Sequence, residues 1–173
     1  MDDFDVIFQQ ATQSLDTEYF QLPIAEGTPV YRERVYCYEL YHQMRSRWPL
    51  ETEYRLNGEI DKRTHPVLAD ARGVGSIPDF LVHVPGDMDY NYAIIEVKRS
   101  EANRSEIRND FIKLNSFLTR GRYQRAVFLI FGEGAASVAK SALSFLDTQP
   151  NSSSIEIWHH SEVGQPATRI HAA

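Results

Sequence analysis

Two short runs of alternating apolar residues, separated by the turn-forming sequence PGDMDY at 85–90, constrain the fold of this chain most strongly. Side chains on a strand point to opposite faces in alternation, so residues two apart share a face. The apolar residues that share a face are Phe80, Val82 and Val84 before the turn, and Ala93, Ile95 and Val97 after it. We therefore predict a β-hairpin over residues 77–98 with one apolar, buried face.

The opposite face of this hairpin collects Asp79, Glu96 and Lys98. If PGDMDY is the connecting loop, the register pairs Val84 with Asn91 and Asp79 with Glu96. Directly opposed residues have Cβ atoms roughly 5 Å apart, so two carboxylates placed there repel each other unless a positive charge lies between them. A hard divalent cation such as Mg²⁺ supplies that charge and prefers oxygen ligands. Lys98, on the same face, adds a further positive charge.

A plainer interpretation of the three charged residues is a solvated sheet face with a weak cross-strand ion pair. Antiparallel sheets often place polar residues outward in this way. Against it, the two acids face each other with no base in register. Pro78 also suits the first position of a strand, where its missing N–H does no harm.

The order of the other elements favours one α/β domain built on an αβββαβ core with a mixed central sheet flanked by helices. The run AVFLIF at 126–131 is typical of a buried strand, and it can pair parallel with the hairpin. Ser105 is the predicted cap of the helix before it. The predicted segments are a helix over 29–47, a strand within 51–60, a loop over 62–76, the hairpin, helices over 105–119 and 134–146, and a last strand over 153–160.

The length of 173 residues and the 42% hydrophobic content suit a single globular domain. We assign residues 1–28 to an acidic N-terminal segment and residues 29–173 to the domain. Cys37 is the one cysteine, which excludes an internal disulfide and a cysteine-based zinc cluster. No stretch is apolar enough for a membrane span, so we expect a cytoplasmic protein without a membrane partner.

The net charge of −6 is unevenly distributed. Residues 1–30 contain six acids and no Lys or Arg, whereas residues 94–125 contain four acids and eight bases. A local positive field next to the hairpin is therefore compatible with a phosphate-binding surface, and equally with a solvated helix face.

At Pro78-Asp79 and Glu96-Val97-Lys98, within the element order above, the chain resembles the PD-(D/E)XK nuclease superfamily. The resemblance covers residues 30–131 and implies a restriction-endonuclease-like fold. It also implies that Asp79, Glu96 and the backbone carbonyl of Val97 bind Mg²⁺ or Mn²⁺, and that Lys98 assists the attacking water.

Many members of that superfamily add a glutamate from the first helix, and Glu39 matches that position best. Glu59 competes with it for the role, and a paired, partly buried glutamate is the alternative for Glu39. Asn109 and Lys113 are the polar candidates on the helix after the motif, although neither matches the glutamine-tyrosine signature of certain branches.

The resemblance predicts a metal-dependent nuclease with Asp79, Glu96, Lys98 and Glu39 as catalytic residues. For the nucleic acid, with DNA as the first choice, we expect contacts from Arg99, Arg104, Arg108 and Lys113, and a homodimer is compatible with cutting both strands. Two alternatives stay open: a catalytically silent nuclease-like module for binding or assembly, and a metal-free acid/base enzyme.

Overall fold

The computed structural model describes residues 3–60, 77–146 and 155–170. The predicted loop over 62–76 lies outside the described residues. The helices are α1 (Phe4–Gln13), α2 (Thr17–Phe20), α3 (Glu33–Ser46), α4 (Arg104–Thr119) and α5 (Ala135–Leu146). The strands are β1 (Arg55–Gly58), β2 (Phe80–His83), β3 (Asn91–Arg99), β4 (Arg125–Phe131), β5 (Ile155–His160) and β6 (Thr168–Ile170).

The six strands form one mixed sheet in the order β1-β2-β3-β4-β5-β6. Strand β2 is antiparallel to both of its neighbours, β4 is parallel to β3 and β5, and β6 returns antiparallel to β5. The α/β class, the mixed sheet and the helix-flanked order predicted from the sequence are therefore confirmed. Strand β6 was not predicted, since it has only three residues.

The hairpin has the predicted register over most of its length. Phe80 pairs with Ile95 and Val82 with Ala93, but the register shifts after Val82, so that His83 rather than Val84 faces Asn91. An irregularity of this kind adds one residue to one strand near the turn. Because it lies at the turn end, it leaves the pairing at the Asp79 end unchanged.

Both faces of the sheet are covered by helices. Helices α1 and α3 pack on one face, where Phe80, Ile95 and Val97 belong to the core. Helices α4 and α5 pack on the other face, with Leu81, Ile94 and the apolar stripe of α4. The face that carries Glu96 is therefore buried, so the solvated-face interpretation is wrong for this part of the hairpin.

The acidic N-terminal segment is part of the core rather than an appendage. Phe4, Ile7, Phe8 and Ala11 of α1 are all buried against the sheet and α3. Their spacing is that of one face of a helix, and Asp5 of the same helix forms an ion pair with Arg125 at 2.6 Å. The proposed boundary at residue 28 therefore separates residues that share a single core.

Helix α4 begins one residue earlier than predicted, and its N-cap is not the predicted residue. Asn103, not Ser105, is the N-cap: its side chain accepts hydrogen bonds from the backbone N–H groups of Ser105 and Glu106. The Glu106 side chain in turn accepts from the Asn103 N–H at 2.8 Å. This capping box fixes where α4 starts relative to the end of β3.

Candidate active site

Asp79 is held at the edge of β3 by a hydrogen bond to the backbone. It directly precedes β2, and its Oδ2 accepts a hydrogen bond from the Val97 N–H at 2.7 Å. Within a strand, the N–H and C=O of one residue point to the same edge. The Val97 carbonyl therefore points toward the same side as the Asp79 carboxylate, beyond the start of β2.

Glu96 is almost completely buried beside it, with 1% of its surface exposed. Its Oε2 accepts a hydrogen bond from Lys113 Nζ of α4 at 2.7 Å. Its Oε1 is buried and has no hydrogen-bond partner among the residues that the structure describes. A buried carboxylate oxygen without a donor is costly, so this atom has unused capacity to bind a cation.

Lys98 is held between two helices. Its Nζ lies 2.9 Å from Glu33 Oε1 at the start of α3 and 3.3 Å from Asp110 Oδ2 of α4. It also lies 3.4 Å from the Val97 carbonyl oxygen. The ammonium group is thus fixed close to the backbone oxygen that shares an edge of β3 with Asp79.

We refer to six residues that meet here as the charged cluster. Asp110 joins the two lysines, because its Oδ1 lies 3.6 Å from Lys113 Nζ. When all groups are ionised, four carboxylates face two ammonium groups, which leaves two negative charges in excess. The members of the cluster are Glu33, Asp79, Glu96, Lys98, Asp110 and Lys113.

Burial and the neighbouring negative charges together raise the pKa values of Asp79, Glu96 and Asp110. Burial raises the pKa of Asp79 to about 6, against the opposing effects of the Val97 N–H and Lys98. Burial and the Asp79 charge raise the pKa of Glu96 well above its usual value. Burial also raises the pKa of Asp110, which Lys98 and Lys113 oppose. A cation bound among these groups would relieve this cost.

The two lysines remain protonated at neutral pH. Burial works to lower the pKa of Lys98, but the carboxylates of Asp110 and Glu33 outweigh it and hold that pKa above its usual value. Burial also opposes the charged form of Lys113, and Glu96 and Asp110 outweigh it, so its pKa is raised as well. Neither lysine can therefore act as a proton acceptor near pH 7.

The donor set named by the resemblance fits a hard cation in chemistry and charge. Asp79, Glu96 and the Val97 carbonyl are all oxygen donors, which Mg²⁺ and Mn²⁺ accept. Only two of the three are side chains, and in the described residues no three His, Cys, Asp or Glu side chains are grouped to hold a metal ion. The fit thus rests on the unpartnered Oε1 of Glu96 and the excess negative charge.

A cavity of about 390 Å³ gives access to the cluster from solvent. Glu33, Lys98 and Asp110 of the cluster line it, together with Arg99 and Asn109. Lys98 is therefore open to a ligand on this side, although its side chain is only 16% exposed.

The structure does not bring Glu39 to the cluster. Its Oε1 accepts a hydrogen bond from Gln43 one turn further along α3, at 2.6 Å. At about 100° per residue it lies roughly 200° around the helix from Cys37, which packs toward Asp79. Glu33, on the same side of the helix as Cys37, is the helix glutamate that contacts Lys98. The expectation for Glu39 is thus not met.

Glu59 and the predicted nucleic-acid contacts lie mostly at the surface. Glu59 is exposed and faces Arg34, with its Oε1 3.6 Å from Arg34 Nε. Arg104 and Arg108 are exposed on α4, and Arg99 faces Glu101 with 3.7 Å between Nε and Oε2. Lys113 differs from them: it is 13% exposed and bound to Glu96, so it is not placed to contact a phosphate at the surface.

Glu33 and Asp110 were missed as site residues by the sequence analysis. The position of Asp110 could have been recognised from the sequence, because it lies three residues after Ile107 and four before Leu114, on the apolar stripe of α4. An acid at a buried position of a helix needs a partner. Glu33 left no comparable signal, since it is the first residue of its helix.

Comparison of the chain with protein-family models, with curated proteins and with solved structures finds no match. Among the described residues, no helix combines the length and the apolar character needed to cross a membrane.

Proposed function

We propose that this chain is a metal-dependent nuclease that hydrolyses phosphodiester bonds of DNA or RNA at Asp79, Glu96 and Lys98. One observation supports the proposal above all: these side chains converge at one end of β2 and β3, in a cluster with excess negative charge that faces a solvent-accessible cavity. Such an arrangement is costly for folding alone and is typical of functional sites.

In this proposal Asp79, Glu96 and the Val97 carbonyl hold Mg²⁺ or Mn²⁺. The bound cation lowers the pKa of a water molecule and offsets negative charge on the scissile phosphate. Asp79 is oriented for this role by the Val97 N–H, which donates a hydrogen bond to its Oδ2. Lys113 fixes Glu96 in the same way through Oε2.

Lys98 contributes electrostatic stabilisation rather than proton abstraction. Its ammonium group stays protonated, because two carboxylates surround it. Glu33 and Asp110 hold it in place, so it costs no reorganisation when negative charge grows on the phosphoryl oxygens. The attacking water therefore transfers its proton to another acceptor, such as a second water molecule.

The substrate and setting are further parts of the proposal. Arg104 and Arg108 are exposed on the helix that carries Asp110, and Arg99 lines the cavity, so all three are placed to neutralise phosphates. DNA as substrate, a homodimer for cutting both strands and a cytoplasmic location are expectations of the same hypothesis.

A catalytically silent nuclease-like module is the second candidate. It is favoured by the Lys113–Glu96 ion pair, which already gives Glu96 a cation, and by the lack of a third side-chain ligand among the described residues. In that case the cluster would be an ion-pair network that links α3, β3 and α4.

A cleavage assay distinguishes the two. Wild type is incubated with Mg²⁺ or Mn²⁺ and a panel of linear, branched, single-stranded and double-stranded nucleic acids, with and without EDTA. We expect cutting by wild type and by Lys140→Ala, an exposed lysine on α5, and none by Lys98→Ala or in EDTA. Thermal melts confirm that each variant is folded. Failure of wild type to cut any substrate would remove the catalytic proposal and favour the silent module.

A further inference from the structure

A second cavity, of about 330 Å³, lies beside Asp79 between α3 and the end of β1. Asp79 and Gly58 line it from the strands, and Tyr38 and Tyr41 line it from the helix. The Asp79 carbonyl accepts a hydrogen bond from the Glu59 N–H at 3.1 Å, so the strand end and Asp79 are rigidly joined. Any ligand in this cavity would contact a residue of the proposed active site.

Two aromatic rings of α3 line this cavity, and a cation lies one turn before them on the same helix. Arg34, Tyr38 and Tyr41 are spaced four and three residues apart along α3, which places them on one face of the helix. The Arg34 side chain is 71% exposed, and its Nε lies 3.6 Å from Oε1 of Glu59, which lines the cavity. A cationic side chain beside aromatic rings is typical of surfaces that bind single-stranded nucleic acid.

The two tyrosines have different surroundings. Tyr41 stacks on Phe80, with 6.2 Å between the ring centroids, and its hydroxyl donates to the Leu56 carbonyl at 3.4 Å. Tyr38 is 61% exposed, and no hydrogen bond or ring contact within the described ranges involves it. Tyr41 is thus explained by packing, whereas the exposed ring of Tyr38 is not.

We propose that this cavity receives an unpaired nucleobase, which stacks on the ring of Tyr38 while Arg34 contacts the adjoining phosphate. The inference rests on the proposed function and specifies its substrate: a nucleic acid that is single-stranded, or has an unpaired nucleotide, beside the scissile bond. A paired base lies within the duplex stack and cannot offer its face to Tyr38. In the free protein Arg34 is paired with Glu59, and the negative charge of Glu59 weakens the attraction of Arg34 for phosphate.

Binding measurements test this separately from catalysis. Fluorescence anisotropy of a labelled oligothymidylate and of a hairpin duplex of matched length is recorded in EDTA, so that no cutting occurs. The variants are Tyr38→Ala, Tyr38→Phe and Glu59→Gln. The matched control is Tyr90→Ala, a 52% exposed tyrosine in the turn between β2 and β3. Melting temperatures exclude unfolding.

We expect wild type to prefer the single strand and Tyr38→Ala to bind it roughly 5- to 100-fold more weakly. Tyr38→Phe and Tyr90→Ala should bind like wild type, and Glu59→Gln more tightly. This pattern would support the inference even if no substrate were cut, in which case only the catalytic proposal fails. Single-strand binding that is absent, or equally affected by the Tyr38→Ala and Tyr90→Ala changes, would overturn it.

Discussion

Lys113 Nζ lies 2.7 Å from Glu96 Oε2, in a part of the protein where neither side chain is more than 13% exposed. The pair links α4 to β3 at Glu96, one of the proposed metal ligands. Removing one member of a buried ion pair leaves the other charge without compensation, which costs far more than loss of an exposed pair. The pair thus has a measurable role in stability as well as in orienting Glu96.

Lys113→Met is predicted to lower the free energy of unfolding by about 3–5 kcal/mol, because Glu96 is left buried without a cation. Urea denaturation at pH 7 in EDTA measures this change. The matched control is Arg122→Met. Arg122 lies 2.8 Å from its partner Asp89, a distance close to that of the buried pair, but the Arg122 side chain is 68% exposed. For the control we expect a loss within about 1 kcal/mol. Equal losses in the two variants would contradict a buried, stabilising pair.

Asp79→Asn is predicted to stabilise the metal-free protein at neutral pH. The pKa of Asp79 is raised from its ordinary value of 3.8 to about 6 in the folded protein, so the folded state binds the proton more tightly than the unfolded chain does. Ionisation of Asp79 therefore lowers the stability of the wild type by roughly 3 kcal/mol as the pH rises from about 4 to about 6. The neutral amide that replaces the carboxyl group can still accept from the Val97 N–H but does not ionise.

Urea unfolding of both proteins in EDTA at pH 4 and pH 8 provides the measurement for Asp79→Asn. The variant should exceed the wild type in stability at pH 8, and the difference should shrink toward pH 4. A difference that is the same at both pH values would show that Asp79 ionises in the folded protein as it does in the unfolded chain.

Phe8→Ala is predicted to cost about 3–5 kcal/mol of stability, because α1 is part of the core. Phe8 is fully buried and meets Trp158 edge to face, with 5.3 Å between the ring centroids. Val6→Ala, two residues earlier on the exposed side of α1, is the control and should change little. Chemical denaturation of both variants checks this, and a negligible cost for Phe8→Ala would mean that α1 is a loosely attached tail.

The hairpin and its polar end could be predicted from the sequence because strand geometry has a period of two. That period predicts that Asp79, Glu96 and Lys98 share one face. The choice of PGDMDY as the connecting loop then gives the pairing of Phe80 with Ile95 that the structure shows. Local patterns of this kind do not depend on distant parts of the chain.

The partners of these residues could not be predicted, since they come from distant segments. Glu33 reaches Lys98 across 65 residues, and Lys113 reaches Glu96 across 17. Which residue of α3 faces the cluster depends on how that helix is rotated on the sheet. A local pattern does not determine this rotation, and Glu39 was chosen where Glu33 makes the contact.

Isothermal titration calorimetry of Mn²⁺ or Mg²⁺ binding to the pure protein tests most directly whether the charged cluster is a metal site. We predict saturable binding by wild type, loss of at least about tenfold in affinity for Glu96→Gln, and wild-type affinity for Glu39→Gln. Absence of binding by folded wild type, or binding that Glu96→Gln leaves unchanged, would contradict a metal site at Asp79 and Glu96.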